Sequence, residues 1–395
     1  MTMIINEFYV KDRRAIAITS IAKSENTIYL GLTGGSHSLA RFDTSTQEIT
    51  LCTEVFPWLR EKRYCTKIHN SMGTLADGSI LIGEGNHFTW DGLPVYSNYL
   101  KSELPELMLK RKHEQGYTDV TYSDFCLNSL NKWNRESDDP GGKIVRYYPS
   151  TDSIEIVADM PKYLYSQSMI VDAKLGLAYV NTIPDNHFLV VDIEKKSIRD
   201  LGRISEYAHH NMVIAPNGLC YGGWMDYYNH TLKLLKYDPH EQRLRHLDTI
   251  ILKDVGAKIA GNQGIDQWVV TRDGEIYTGM VANSLLFRFY WEEENFELIG
   301  QAEKSGRMAT IDEDDDRIIW LGAGYPNMHL VRFDKKVQKR DNLIDCGIVN
   351  DNNIRCYFHA SCYHQGKLYL GETDGFTPSL HVIDLKNMKG DNYGR

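Results

Sequence analysis

The sequence lacks any apolar run of the roughly 18 residues that a membrane-spanning helix needs, so we exclude a membrane protein of that kind. It also lacks a dense lysine and arginine stripe, and its net charge of −9 with a pI near 5.9 argues against nucleic-acid binding as its main role. The first residues lack the features of a secretory signal, so we expect a cytoplasmic protein, or a secreted or periplasmic one whose signal was removed. Seven scattered cysteines, an odd number, do not form the pattern of a disulfide framework.

The overall composition is that of an ordinary globular protein. Hydrophobic residues make up 42% of the chain and charged residues 25%. A length of 395 residues exceeds the usual size of a single hydrophobic core, so we expect either two domains or one large domain built from repeats. An internal repeat decides between them.

Seven similar segments recur along the chain, each an apolar strand that reaches a small residue, usually glycine. They begin at Thr27, Ser79, Leu177, Leu219, Glu275, Ile318 and Lys367. Tight turns precede several of them, at Asp77-Gly78, Asn217-Gly218, Asp273-Gly274 and Gln365-Gly366. Further strands follow each segment, which gives units of roughly 40–55 residues, the size of a four-stranded propeller blade. The sequence therefore predicts an all-β fold, a single seven-bladed β-propeller domain over 1–395.

Two features modify the regular repeat. The segment INEFYV from Ile5 is predicted to add the missing outer strand to the last blade and so close the ring. Residues 88–140 form a long insertion between the second and third strands of the second blade, with helix-like stretches at 104–114 and 124–135. Loops this long are usually functional, and we expect the insertion to wall one side of a cleft.

Polar residues recur where the strands of a propeller meet its axis. The first strand of each blade lines the axis, and the loop after the second strand opens on the face where the first strand begins. His69 and His209 both stand nine residues before a hairpin glycine, which predicts equivalent places in the ring. The residues at first-strand starts are His69, Gln167, His209, His210, Gln263, Arg307 and His359. Those at second-strand ends are His37, His87, Trp224, Tyr227, Tyr228, Tyr325, Asn327, Glu372 and Asp374.

This convergence allows two kinds of chemistry. In a metal site, Mn²⁺, Ca²⁺ or Zn²⁺ would be held by Gln167, His209 or His210, Gln263 and His359. In an acid/base site, histidine and tyrosine would transfer protons while arginine neutralises a carboxylate. Beta-elimination on a uronic acid requires that second combination, because the proton beside a carboxylate is hardly acidic until the charge is quenched.

The pair His69 and His87, across HNSMGTLADGSILIGEGNH, resembles the paired histidines of the seven-bladed propeller polysaccharide lyases, notably the ulvan lyase families. The blade pattern GGKIVRYYPSTDSIEIV with SQSMIVDAKLGLAYV and FLVVDI is similar to those enzymes. The resemblance implies that His69 and His87 bind substrate or transfer protons and that Arg307 neutralises a carboxylate. It assigns the acid/base role to one of three tyrosines: Tyr165, Tyr227 or Tyr228.

The sequence departs from those lyases in one respect. The family has an arginine near the end of the second strand in the blade after the histidine pair, whereas the corresponding stretch here reads NTIPDNHF. Either Arg307 replaces that arginine from across the ring, or the substrate is something other than a uronate polymer.

The leading prediction is a lyase that cleaves an acidic poly- or oligosaccharide by β-elimination and requires no cofactor. The predicted catalytic residues are His69, His87, His210, Tyr228 and Arg307. The predicted substrate-binding residues are Gln167, Tyr165, Trp224, Tyr227, Gln263, Tyr325, His359 and Glu372. The alternatives are a metal-dependent lyase or hydrolase and a non-catalytic binding propeller.

Two further clusters receive structural interpretations. Cys346, Cys356, Cys362 and His364 lie close in sequence and would form a structural zinc site, although their spacing is irregular. The acidic run DEDDDR from Asp312 is predicted to be a solvated hairpin on the face opposite the site.

Overall fold

The computed structural model confirms the seven-bladed propeller. It describes residues 3, 5–35, 37–59, 66–86, 109–110, 112–119, 140–183, 185–205, 210–226, 228–253, 264–281, 283–304, 306–325, 327–337, 342–350, 357–373 and 378–388. Within those ranges the strands form seven antiparallel sheets, one for each blade. No helix in the described part of the chain is long and apolar enough to cross a membrane.

The strands are numbered β1 to β30 in chain order, and the first strand named for each blade is the innermost. Blade 1 contains β2 (Ala17–Ser24), β3 (Thr27–Thr33), β4 (Leu39–Asp43) and β5 (Ile49–Leu51). Blade 2 contains β7 (Met72–Thr74), β8 (Ile80–Gly83), β10 (Lys143–Tyr148) and β11 (Ser153–Asp159). Blade 3 contains β12 (Tyr165–Asp172), β13 (Leu177–Ile183), β14 (Asn186–Asp192) and β15 (Ser197–Ser205). Blade 4 contains β16 (Val213–Ile214), β17 (Cys220–Asp226), β18 (Thr231–Asp238) and β19 (Arg243–Leu252).

The last three blades follow the same order. Blade 5 contains β20 (Ile265–Val270), β21 (Ile276–Met280), β22 (Leu285–Tyr290) and β23 (Asn295–Gln301). Blade 6 contains β24 (Met308–Glu313), β25 (Ile318–Ala323), β26 (His329–Asp334) and β27 (Leu343–Ile348). Blade 7 contains β28 (Phe358–His364), β29 (Lys367–Glu372), β30 (Ser379–Asp384) and β1 (Ile5–Tyr9). Two short strands, β6 (Thr66–Lys67) and β9 (Gly85–Asn86), link blades 1 and 2.

The ring closes through its N-terminal strand. Strand β1 pairs antiparallel with β30, with Ile5 opposite Ile383 and Tyr9 opposite Ser379. This pairing confirms the predicted closure by INEFYV, and it leaves blade 7 with the same four strands as the other blades.

The recurring glycine of the second strands is explained by close packing between neighbouring blades. A Cβ atom on Gly371 of blade 7 would lie 2.5 Å from Cγ2 of Ile18 in blade 1, and one on Gly279 of blade 5 would lie 2.6 Å from Sδ of Met308. The second strands are buried on both faces for the same reason, whereas the outer strands, such as β23, have mostly exposed or half-buried residues. The core therefore lies between the blades.

Five of the innermost strands contain a β-bulge at the same place. In each of these blades one residue has no partner on the second strand, so the register shifts by one. The extra residues are Thr19, Gln167, Asp266, Ala309 and His359. Because a bulge redirects a side chain, this repeated irregularity changes which residues of these strands face the axis.

Strand β8 pairs directly with β10, so residues 84–142 run between the second and third strands of blade 2. Residues 109, 110 and 112–114 are helical. The Nζ atom of Lys112 donates to the carbonyl oxygens of Asp12 at 2.8 Å and Ala15 at 2.6 Å. This part of the insertion is therefore docked on the link between β1 and β2. The predicted helix at 124–135 lies outside the described residues.

Candidate active site

Five polar side chains from five different blades meet at the propeller axis. They are His69 of blade 2, His210 of blade 4, Asp266 of blade 5, Arg307 of blade 6 and His359 of blade 7. The three histidines and Asp266 are at most 8% exposed, while the Arg307 side chain is 22% exposed. His69, His210 and Arg307 directly precede or lie just before an innermost strand, and Asp266 and His359 are bulge residues. These side chains meet because the starts and the bulges of the innermost strands lie on the same face of the ring, close to its axis.

The hydrogen bonds among these residues determine the protonation of two histidines. An Arg307 Nη2–H donates to Nε2 of His359 at 2.9 Å, so that nitrogen is an acceptor and the His359 proton is on Nδ1. Nδ1 of His359 then donates to Nε2 of His69, 3.2 Å away. Nδ1 of His69 in turn donates to the carbonyl oxygen of Gln167 at 2.6 Å. Both imidazoles are therefore neutral in this network.

Asp266 holds the guanidinium of Arg307 in place. Nε of Arg307 donates to Oδ2 of Asp266 at 2.8 Å, and Nη2 donates to Oδ1. Burial raises the pKa of the Asp266 carboxyl, and the charge and hydrogen bonds of Arg307 partly oppose that rise. Oδ1 of Asp266 also lies 4.0 Å from Nδ1 of His210 and 3.9 Å from Nε2 of His359. A partly buried ion pair thus lies beside the two neutral imidazoles and His210.

The three histidines are close enough to share a ligand. Their rings lie with centroids 4.6 Å apart for His69 and His359, 5.3 Å for His69 and His210, and 5.5 Å for His210 and His359. One nitrogen from each lies within 4.8 Å of one nitrogen from each of the others. Three imidazoles with this spacing are the protein ligands of one common class of catalytic zinc site.

Two tyrosines connect the cluster to the protein surface. The guanidinium carbon of Arg307 lies 5.9 Å from the ring centroid of Tyr357, which is 2% exposed. The Tyr357 ring meets that of Tyr325 at 5.6 Å, and Tyr325 is 40% exposed. The accessible side of the cluster is therefore the side of Arg307 and Tyr325.

The structure brings together part of the predicted site. His69, His210, Arg307 and His359 are in the cluster, and Gln167 contributes its backbone carbonyl. Glu372, 1% exposed, lies opposite Phe358, the residue before His359. The ring of Tyr325 contacts the ring of Tyr357, which lies beside Arg307.

Three other predicted residues are placed elsewhere. Tyr165 is 3% exposed beside Gly142, and the indole of Trp224 donates to the carbonyl of Leu247 in the outer strand of blade 4. Tyr228 is 99% exposed on the turn after β17. Trp224 therefore packs on the side of its blade, because its strand position points it toward β19 and away from the axis. The remaining predicted residues, His87, Tyr227 and Gln263, lie outside the described residues, as does His209.

Sequence reasoning missed Asp266 and Tyr357. Asp266 is three residues after Gln263 in the same NQGID segment, and the bulge, which a regular strand register does not predict, turns its carboxylate to the axis. Tyr357 directly precedes β28, at the same kind of strand start as Arg307. Counting strand starts more widely would have included Tyr357 but not Asp266.

A second group of three possible metal ligands lies at the surface between blades 5 and 6. Glu303, His329 and Asp345 are half-buried or exposed, and Nδ1 of His329 is 2.8 Å from Oδ2 of Asp345. Blade 3 repeats that pair as His187 and Asp200, 2.9 Å apart, between its third and fourth strands. The His329 pair is therefore explained as a recurring link between outer strands.

The prediction that the acidic run from Asp312 is solvated holds for Asp315 and Asp316, which are exposed, and is wrong for Asp314. Asp314 is completely buried, the backbone N–H of Tyr363 donates to Asp312, and Asp315 accepts from the Tyr363 hydroxyl at 2.6 Å. Asp312 and Asp315 thus bind donors of the neighbouring blade, whereas Asp314 accepts from donors of its own hairpin.

The cysteine cluster does not form a zinc site in the described part of the chain. Cys346 and Cys362 lie on the different strands β27 and β28, and burial raises the pKa of both thiols. Neither belongs to a group of three metal-ligating side chains there, and Cys356 lies outside the described residues.

Comparisons with known proteins show the fold. No protein-family model and no curated protein matches the chain. Among solved structures, virginiamycin B lyase from Staphylococcus aureus has a TM-score of 0.59 at 8% identity, covering 97% of this chain and 100% of that one. Hydrazine synthase from Kuenenia stuttgartiensis has a TM-score of 0.56 at 11% identity, covering 95% and 97% of the two chains. A chain of the mitotic checkpoint complex has a TM-score of 0.56 at 7% identity, covering 96% and 90%.

These neighbours range from a lyase to a component of a checkpoint complex, and identities this low carry only the architecture. The narrower resemblance to polysaccharide lyases stays a prediction. The chain is similar to propellers over nearly its whole length, and its function must be argued from the axial cluster.

Proposed function

We propose that this protein is a carbon–oxygen lyase that cleaves an acidic, uronic-acid-containing poly- or oligosaccharide by β-elimination at the axial cluster. The observation that carries the proposal is Arg307, a fixed cation at the accessible side of the histidine cluster. The resemblance of His69 and its surrounding segment to the propeller polysaccharide lyases supports the same choice of substrate.

The reaction needs a base, a cation and an acid. The base removes the proton on carbon 5 of the uronate, beside the carboxylate. The electron pair forms the double bond between carbons 4 and 5, the bond from carbon 4 to the glycosidic oxygen breaks, and that oxygen receives a proton. Negative charge builds up on the carboxylate in the transition state, and a preorganised donor there is worth about 10²–10³-fold in rate.

Arg307 is suited to that position because its orientation is fixed before substrate arrives. Asp266 holds two of its nitrogens, and His359 accepts from one of them. A guanidinium held in this way loses little conformational freedom on binding a carboxylate. Asp266 and His359 are therefore positioning residues for Arg307.

Two described groups can accept the proton at the edge of the cluster. The His210 side chain is 10% exposed, and Tyr325 is 40% exposed at the end of the aromatic path to Arg307. Histidine and tyrosine both serve as general bases in enzymes. We assign the proton transfer to these two groups jointly.

The insertion would form one wall of the substrate cleft. Lys112 anchors residues 112–119 on the segment that enters the first strand of blade 1, and Arg13 forms an ion pair with Asp119. Both contacts lie on the face where innermost strands begin, which is also the face of the cluster.

The proposal is tested with uronate-containing polysaccharides and with the same polymers after chemical reduction of their carboxyl groups. The ultraviolet absorbance of the unsaturated product should rise with the acidic polymers and stay flat with the reduced ones, because only the carboxylate makes carbon 5 acidic. Mass spectrometry should find products lighter by one water than hydrolysis products. Binding without any absorbance change would contradict a lyase and indicate a binding propeller.

A further inference from the structure

We propose that His69, His210 and His359 bind one divalent transition-metal ion, with Zn²⁺ the best fit. The site combines ligands from blades 2, 4 and 7, so it exists only in the closed ring. Nothing in the fold requires such an ion, and what supports it is the geometry of these three side chains and their neighbours.

The donor set selects the kind of metal. All three ligands are imidazole nitrogens, each residue is at most 8% exposed, and the group includes no carboxylate or thiolate ligand. Ca²⁺ and Mg²⁺ prefer oxygen ligands, whereas imidazole suits Zn²⁺ and its first-row neighbours. Three histidines would leave a fourth position open, as in catalytic zinc sites.

The spacing of the two best-defined nitrogens fits a metal. Nε2 of His69 and Nδ1 of His359 are 3.2 Å apart. Two nitrogens bound at 2.0–2.1 Å to a tetrahedral ion lie about 3.3 Å apart. The separation of these two nitrogens therefore already suits an ion bound to both.

The outer nitrogen of each ring lies near an oxygen, and around a metal-bound histidine that nitrogen usually donates to such an oxygen. Nδ1 of His69 donates to the Gln167 carbonyl at 2.6 Å. Nε2 of His359 and Nδ1 of His210 lie 3.9 and 4.0 Å from the same oxygen of Asp266. This leaves Nε2 of His69, Nδ1 of His359 and Nε2 of His210 as the three ligand atoms.

Metal binding has one local cost. The proton of His359 must move from Nδ1 to Nε2, where the Arg307 N–H now donates. Arg307 must turn that N–H away, and Asp266 becomes the acceptor for Nε2. The ring stays neutral, so the change is a switch of tautomer with no net release of protons.

The role of the ion in catalysis, unlike its binding, rests on the proposed function. At the open position an ion would bind the substrate carboxylate beside Arg307 and strengthen the neutralisation of its charge. With His210 engaged as a ligand, the proton acceptor is Tyr325.

Metal binding is tested on the full chain after treatment with a chelator, by calorimetric titration with Zn²⁺ and by visible spectroscopy with Co²⁺. One equivalent should bind, with the strong absorption of four-coordinate cobalt. His210→Ala should weaken binding by about 100-fold or more, and Asp266→Asn by roughly 10–100-fold, the usual effect of removing a carboxylate behind a ligand. His329→Ala, in the surface group of Glu303 and Asp345, is the matched control and should bind normally.

Two results would overturn the site. One is wild-type protein that binds neither ion, and the other is binding that survives His210→Ala but disappears in His329→Ala. X-ray absorption of the zinc-loaded wild type keeps the test decisive if a variant fails to fold, because it counts imidazole ligands directly. Three imidazoles support the proposal, and a shell of oxygens contradicts it.

The same samples separate this inference from the proposed function. Zinc bound by three imidazoles in a protein that leaves every uronate polymer intact would retain the metal site and reject the lyase. Full turnover by protein that binds no metal would retain the lyase and reject the metal site.

Discussion

Asp266 and Asp314 are both completely buried carboxylates, but their partners come from different places. Asp314 accepts from the backbone of Asp316 and Ile318 and from the indole of Trp320, all within one hairpin of blade 6. Asp266 in blade 5 binds Arg307 of blade 6 and faces histidines of blades 4 and 7.

The difference teaches that burial of a charge does not by itself identify a functional site. Asp314 satisfies donors that its own hairpin would otherwise leave unpaired, which is a structural role. Asp266 links side chains that are distant in sequence and have no need of each other for local folding. Convergence of this kind is what the proposed activity requires.

The largest effect is expected for Asp266→Ala, which removes the carboxylate that holds Arg307. Because the Arg307 left behind is partly exposed, we expect the free energy of unfolding to fall by about 3 kcal/mol, the lower end of the range for a buried pair. Turnover of an acidic polymer should fall about 10²–10³-fold in the fraction that stays folded, because the guanidinium is no longer fixed. Urea unfolding measures the stability, and the ultraviolet absorbance of the product measures the turnover. A fully active variant would contradict the distinction between Asp266 and Asp314.

Asp314→Ala should be nearly as destabilising and leave the activity intact. At least three donors lose a buried acceptor, and at 1–3 kcal/mol each with partial relaxation we expect about 3 kcal/mol. Turnover per folded molecule should equal that of the wild type. A selective loss of turnover at unchanged stability would place Asp314 with Asp266 and contradict the distinction.

The charges on the opposite face should affect stability through pH. Lys335 contacts Asp273 at 2.6 Å and Glu313 at 3.0 Å. Burial acts to raise the pKa of Asp273, but hydrogen bonds from Lys335 and Thr271 outweigh it and lower the pKa to about 2. Because the unfolded value is near 3.9, this carboxylate stabilises the fold above about pH 4 and loses its contribution as the pH falls toward 2.

The partly exposed Asp273 limits this effect to about 1 kcal/mol or less. Between pH 5 and pH 2 the free energy of unfolding, measured by urea titration, should therefore fall by about 1 kcal/mol less in Lys335→Met than in the wild type. The turnover of Lys335→Met at neutral pH should be unchanged. Equal slopes for the two proteins would show that Lys335 does not set the pKa of Asp273.

The smallest effect is expected for Tyr228→Ala, although the sequence placed this residue in the catalytic set. Its side chain is 99% exposed, so the stability change should stay within about 0.5 kcal/mol. Turnover should change less than about twofold, whereas Tyr325→Phe should reduce it about 10²-fold if that hydroxyl transfers the proton. A large loss of turnover in Tyr228→Ala would show that Tyr228 belongs to the catalytic set, as the sequence predicts.

Much of this architecture was predictable because it repeats. The strand patterns ending at Gly371 and its counterparts indicated seven blades, and INEFYV indicated how the ring closes. The convergence of His69, His210, Arg307 and His359 followed from the rule that first strands begin at the axis. These inferences need only the periodicity of the chain.

The remaining features depend on local irregularities that periodicity does not encode. The bulge at Asp266 turns a strand residue to the axis, and the strand position of Trp224 directs a rim aromatic to the side of its blade. Asp312 and Asp315 are held by donors of the next blade, which only the packed ring supplies. The sequence contains these residues, but their directions arise in the tertiary structure.

The most direct test of the axial site compares Arg307→Ala, Arg307→Lys and Asp314→Asn on one acidic polymer, with each rate divided by the folded fraction. We predict a loss of about 10³-fold for Arg307→Ala, partial activity for Arg307→Lys, which retains the charge without the planar fork, and a wild-type rate for Asp314→Asn. Wild-type turnover by folded Arg307→Ala would contradict the account, because the cation at the axis would then have no part in the reaction.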